Sequence, residues 1–193
     1  MRRSLTLGVV LLALHLTLVP AWTKDESTAA ERTAELRADL LGHDSATQVL
    51  TQWCAKLGLA SPSVVRAVRV RGVDKTLDAK LRTLLMARAD EAIRYRRVRL
   101  TCGDHMLSEA DNWYLPDRLT ADMNRKLDET DTPFGAVVRP LGFHRKTLAV
   151  TPLTGTHVIL RVRALLVTES GVPFSLVVET YSRDLIANKP PRL

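Results

Sequence analysis

With 193 residues, 46% of them hydrophobic and 25% charged, the chain has room for one domain with a real core and an ordinary soluble, globular composition. Its formal net charge is +7, or +5 once Arg2 and Arg3 are set aside, and this charge is spread along the chain. Without a basic cluster interleaved with aromatics there is no case for nucleic-acid binding, whereas a basic surface suits anionic metabolites or acidic lipid headgroups.

Residues 1–21 have the three-part layout of a secretory signal: basic Arg2 and Arg3, an apolar run from Leu5 to Val19, and a small-residue exit at Val19-Pro20-Ala21. Cleavage before Trp22 is expected. The run is interrupted by Thr6, His15 and Thr17 and is marginal against the roughly 20 residues of a bilayer span, so no stable membrane span is expected after cleavage. The mature chain is then periplasmic or secreted. Export opens two readings of Cys54 and Cys102, a disulfide or two buried thiols.

In the mature chain, Thr23–Leu41 reads as a helix ended by Gly42, so residues 22–44 form a helical extension ahead of a main domain over residues 45–187. Asp44 or Ser45 caps a second helix whose Ala46, Val49, Leu50, Trp53 and Leu57 share one face. A strand over Val64–Val70, a helix over Asp74–Arg88 and a hairpin of Ile93–Cys102 with Ser108–Leu115 come next. Pro116 and Asp117 open a helix through Leu127, and Thr132-Pro133-Phe134-Gly135 reads as a turn. Strands follow at Arg145–Val150, His157–Val167 and Phe174–Tyr181, and residues 188–193 are a tail. Helices first and hairpin-linked strands after give an α+β domain with an antiparallel sheet.

The strand R-R-V-R-L-T-C has a basic face bearing Arg97 and Arg99 and an apolar face. His43, His105, His144 and His157 are scattered without ligand spacing, so a metal site is not expected. No Gly-rich phosphate loop and no G-x-S-x-G motif occurs, which removes support for nucleotide and serine-hydrolase chemistry. Asn112-Trp113-Tyr114 suits either a pocket wall or strand packing.

The succession R-V-R-L-T-C, A-D-N-W-Y-L-P, T-P-F-G, Arg145 and G-V-P-F-S-L-V-V-E-T-Y resembles the chorismate-pyruvate lyase family and the related effector-binding domains of GntR-type regulators. The resemblance runs from Val49 to Tyr181 and implies an antiparallel sheet with helical flaps over a buried ligand cavity. It implies that Arg97 grips a ligand carboxylate, that Glu179 meets a ring hydroxyl, and that the backbones of Leu50 and Phe134 touch the ligand. Arg145 matches a further arginine near the pocket. In such an enzyme Arg97 and Glu179 are the catalytic residues, eliminating pyruvate from chorismate to leave 4-hydroxybenzoate. Holding the enolpyruvyl ether and stabilising charge as the C–O bond breaks needs no metal or cofactor.

Two further readings stay open. The chain is then a lyase of this type, an exported, non-catalytic binder of an aromatic or other small organic acid, or a surface interaction protein that merely kept the fold. Glu179 alternatively pairs with Arg97 or Arg99 for structure alone. The expected partner is a small aromatic or enolpyruvyl carboxylate, and a monomer is expected.

Overall fold

A computed structural model describes residues 22–76 and 78–187; the expected signal segment over residues 1–21, Leu77 and the expected tail over residues 188–193 lie outside the described residues. Among the described residues, five α-helices and six strands follow in the order α1 (Trp22–Gly42), α2 (Ala46–Lys56), β1 (Val65–Arg69), α3 (Ala79–Leu84), β2 (Arg94–Cys102), β3 (His105–Tyr114), α4 (Ala121–Glu129), α5 (Phe134–Val138), β4 (His144–Pro152), β5 (Val158–Val167) and β6 (Pro173–Ser182). The strands form one antiparallel sheet in the order β1-β2-β3-β6-β5-β4. The α+β class and the antiparallel sheet are as expected.

Local chemistry accounts for most of the boundaries. Ser45 caps α2 by accepting a bond from the Gln48 N–H, and Thr120 caps α4 by accepting one from Met123. Gly103 turns β2 into β3 with φ +55°, a left-handed conformation that favours glycine; a Cβ there would also lie 3.0 Å from that of Ala60. Three expectations change. The helix over Asp74–Arg88 shrinks to Ala79–Leu84. It begins at the Asp78 cap, and the chain after it is tied down by Arg118, which donates to the Leu85 and Met86 carbonyls and to both oxygens of Glu91. The helix opened at Pro116 is a 3-10 turn at Pro116–Arg118, with α4 starting only after Thr120. The Thr132–Gly135 turn is the entrance to α5, because extended Pro133 serves as its N-cap.

The inner face of the sheet carries two cores. Leu36 and Leu40 of α1 join Val49, Leu50, Trp53 and Cys54 of α2 against Val98, Leu100, Val162 and Tyr181. Full burial of each such aliphatic side chain contributes roughly 1.5–3 kcal/mol. Trp53 is a core anchor whose indole donates to Asp39 at 2.7 Å, joining α2 to α1. Met123, Leu127, Phe134, Val137, Val138 and Phe143 make the second core over Tyr114, Leu166 and Phe174. On the outer face, Leu81, Leu84 and Leu85 cover Trp113, Leu115, Leu165, Val167 and Leu176 at one end of the sheet.

Cys54 and Cys102 form a disulfide, with their Cα atoms 6.3 Å apart. It fastens α2 to the end of β2. Among the described residues no helix is long and apolar enough to cross a membrane.

Candidate functional site

A cavity lies where the two cores meet. Its floor is the inner face of the sheet: Arg96, Val98 and Leu100 from β2, Ala110 and Asn112 from β3, Val177 and Glu179 from β6, Leu166 from β5 and Arg145 from β4. Its roof is the start of α2 (Asp44–Thr47), the start of α5 (Phe134 and Gly135) and Phe143. It encloses about 40 Å³, room for a water or a small anionic head group rather than a whole ring.

Arg96 is only 2% exposed. Its Nη2 donates to the Thr132 carbonyl oxygen at 3.5 Å, a long bond, and Nε and Nη1 have no hydrogen-bond partner among the described residues. Burial, and then the like charge of Arg69, pull its pKa down to about 10. Directly opposite on β3 stands Asn112. Its Oδ1 accepts from the Ser175 hydroxyl at 2.5 Å, leaving Nδ2 as a buried donor also without a partner. Cross-strand neighbours bring their Cβ atoms roughly 5 Å apart, and both residues line the same cavity.

At the other side of the floor, Arg145 donates to Oε2 of Glu179, which also accepts from the Tyr181 hydroxyl at 2.9 Å. Burial works against the charge of Arg145, yet Glu179, Tyr181 and Asp44 together outweigh it and the pKa is raised. Burial and then Glu179 push the Tyr181 phenol well above its usual value. Asp44 fixes the rim, accepting the Arg145 backbone N–H at 2.7 Å and meeting Nδ1 of His144 at 3.2 Å. Within the lining, every buried side-chain atom lacking a partner is an N–H donor: Nε and Nη1 of Arg96, Nδ2 of Asn112 and Nε of Arg145. Donors without acceptors complement an oxyanion.

The expected site residues divide. Glu179, Arg145 and Phe134 line the cavity. Arg97 does not: it lies on the outer face, bound to Glu109, with Asp111 at 3.8 Å. It is not on a strand adjacent to Glu179 either, since β3 separates β2 from β6. Period-two alternation places Arg97 opposite Asp111 and Arg99 opposite Glu109, away from Val98 and Leu100. Leu50 is fully buried in the core, a turn deeper than the Ser45–Thr47 segment by which α2 reaches the cavity. Glu179 pairs with Arg145 rather than with Arg97 or Arg99. In the Asn112-Trp113-Tyr114 run, Asn112 lines the cavity, Trp113 packs under α3 and Tyr114 packs against Phe134.

Sequence reading missed Arg96, and it raised Asn112 only as part of a run that suited either a pocket wall or strand packing. The signal for Arg96 was present, because it shares the apolar face of its strand with Val98, Leu100 and Cys102.

No family profile matches the chain. It is 40% identical over 181 residues to the uncharacterized protein y4mC of Sinorhizobium fredii (strain NBRC 101917 / NGR234), covering 82% of this chain and 76% of that one. Among solved structures it is similar to PhnF from Mycobacterium smegmatis, with TM-score 0.55 and 13% identity over 79% of this chain and 71% of that chain. A GntR-family transcriptional regulator from Enterococcus faecalis V583 gives TM-score 0.46 and 11% identity, over 65% of this chain and 99% of that one. The likeness to PhnF shows the fold, which is the one shared by GntR effector domains and chorismate lyase-like proteins.

Proposed function

The chain belongs to the family of protein y4mC, and from that footing we propose that it is a small-molecule binding protein whose ligand is an organic acid held by its oxyanion at Arg96. The observation that carries this reading is the buried Arg96 guanidinium, which has no carboxylate in salt-bridge contact among the described residues and faces a second partnerless donor on Asn112. A structural arginine that deep is ordinarily paired, because an unpaired buried charge is costly. A ligand oxyanion supplies the missing acceptor, and a guanidinium can bind it through two parallel N–H groups.

Binding without turnover is the activity that this geometry supports best. The side chain cast as helper in a lyase, Glu179, is occupied by Arg145 and Tyr181. The body of the ligand rests on Val98, Ala110, Leu166, Val177, Phe134 and Phe143, and a ring enters only if α5 and the start of α2 part. We also propose that the protein acts outside the cytoplasm, on the strength of the signal layout of residues 1–21 and the Cys54–Cys102 disulfide.

Calorimetry with 4-hydroxybenzoate on wild type and Arg96→Met tests the site. Loss of at least about tenfold in affinity is expected, since a hydrogen bond to a charged group contributes roughly 1.5–3 kcal/mol. Equal affinities would overturn the reading. Incubation with chorismate is expected to yield no 4-hydroxybenzoate.

A further inference from the structure

We infer that the cavity is a charge filter that accepts monocarboxylates and rejects dicarboxylates, with Glu179 and Asp44 doing the rejecting. The inference rests on the oxyanion site at Arg96 and adds the charge class of its ligand. Across the sheet the lining runs Arg96 on β2, Asn112 on β3, Glu179 on β6, Leu166 on β5 and Arg145 on β4. Glu179 therefore stands between the two arginines. With strands roughly 4.8 Å apart, its column lies roughly 10 Å from that of Arg96, which is where the far end of a compact diacid would arrive.

What such a second carboxylate meets there is negative. Arg145, with a side chain only 4% exposed, already spends its charge on Glu179, so that although its buried Nε keeps no acceptor among the described residues, this end of the lining sets two carboxylates, Glu179 and Asp44, against one guanidinium. Asp44, also in the lining, adds a second carboxylate at the Arg145 side, where its oxygens receive the Arg145 backbone N–H and approach His144. The Tyr181 hydroxyl donates to Glu179 and has no donor left for a ligand. One carboxylate is thus satisfied at Arg96 and Asn112, while another faces like charge in a desolvated space. Apart from Ser45 and Thr47 in the roof, the remainder of the lining is apolar, which suits an uncharged hydrocarbon body. Chorismate, with two carboxylates, falls on the rejected side.

Calorimetry at pH 7 on the mature chain, using propionate against succinate and benzoate against terephthalate, tests the filter. Each monoacid is expected to bind at least about tenfold more tightly than its diacid. In Glu179→Gln the gap is expected to shrink by about tenfold or more, since the intervening negative charge is gone. Diacids binding wild type as tightly as the monoacids would overturn the filter and leave the oxyanion site standing. Should Glu179→Gln fail to fold by circular dichroism, Asp44→Asn on the exposed rim is expected to narrow the gap in the same direction, and the wild-type contrast decides alone. Binding of inorganic phosphate but of no carboxylate, abolished by Arg96→Met, would keep the site and overturn the filter. No binding by any of the five probes would overturn both.

Discussion

Arg96 holds its charge where burial opposes it, and this sets a measurable cost on the ligand-free fold. Its folded pKa, about 10, lies below that of an arginine in water. The group is therefore unfavourable at every pH below about 10 and is relieved only as pH rises through that value. At neutral pH the penalty is on the order of 3 kcal/mol, at 1.36 kcal/mol per pKa unit. Arg96→Met is expected to raise ligand-free stability at pH 7 by up to about that amount in urea unfolding, and to abolish stabilisation by carboxylates. Arg97→Met, which disturbs a partly exposed pair with Glu109, is expected to change stability by less than about 1 kcal/mol. A destabilised Arg96→Met would mean that the guanidinium is structural. The two neighbours also show what was legible. Alternation along R-R-V-R-L-T-C assigns Arg96 to the apolar, inward face from sequence alone; matching a family pattern across a pair of adjacent arginines chose the wrong one. Asn112 was less legible, because its importance comes from Ser175, 63 residues away, which holds its oxygen.

The cavity roof is a seam between two elements that are far apart in the chain. Gly135 opens α5, and a Cβ placed on it would lie 3.1 Å from Thr47 Oγ1 and 3.4 Å from Ser45 Oγ at the start of α2. Nothing in T-P-F-G announces that approach. The motif reads as a turn because proline and glycine favour one, and five helical residues are too few to show a period. Glu179 and Arg145 were legible as pocket residues, but their pairing was not, since strand alternation fixes a face and does not choose a partner two strands away. Gly135→Ala is expected to move stability by less than about 1 kcal/mol, as better helix propensity offsets a tight contact with Thr47. Gly135→Val, whose branches have no room at the seam, is expected to weaken benzoate binding by about tenfold or more while the circular dichroism spectrum stays native. Unchanged affinity in Gly135→Val would show that ligands enter elsewhere.

At the scale of the molecule, helices followed by hairpin-linked strands gave the α+β class, whereas the order β1-β2-β3-β6-β5-β4 depends on β3 meeting β6 across more than sixty residues of chain. The disulfide acts at this scale too. It joins the roof helix α2 to the strand that carries Arg96, closing a segment of 48 residues. Chain-entropy arguments give about 4 kcal/mol for a loop of that length, because the cross-link restricts the unfolded chain. Cys54→Ala with Cys102→Ala is therefore expected to lower unfolding free energy by about 3–4 kcal/mol and to weaken benzoate binding, since the roof loses its tie to the floor. The same bond ties the fold to compartment. A reducing cytosol keeps thiols apart, so the chain expressed with its leader is expected outside the cytoplasm, starting near Trp22 and carrying no free thiol when denatured. Fractionation, N-terminal sequencing and thiol titration of the unfolded, unreduced protein read the three outcomes separately. Full-length protein in the cytosol with two titratable thiols would remove the export proposal, while leaving the oxyanion site to be judged by calorimetry alone.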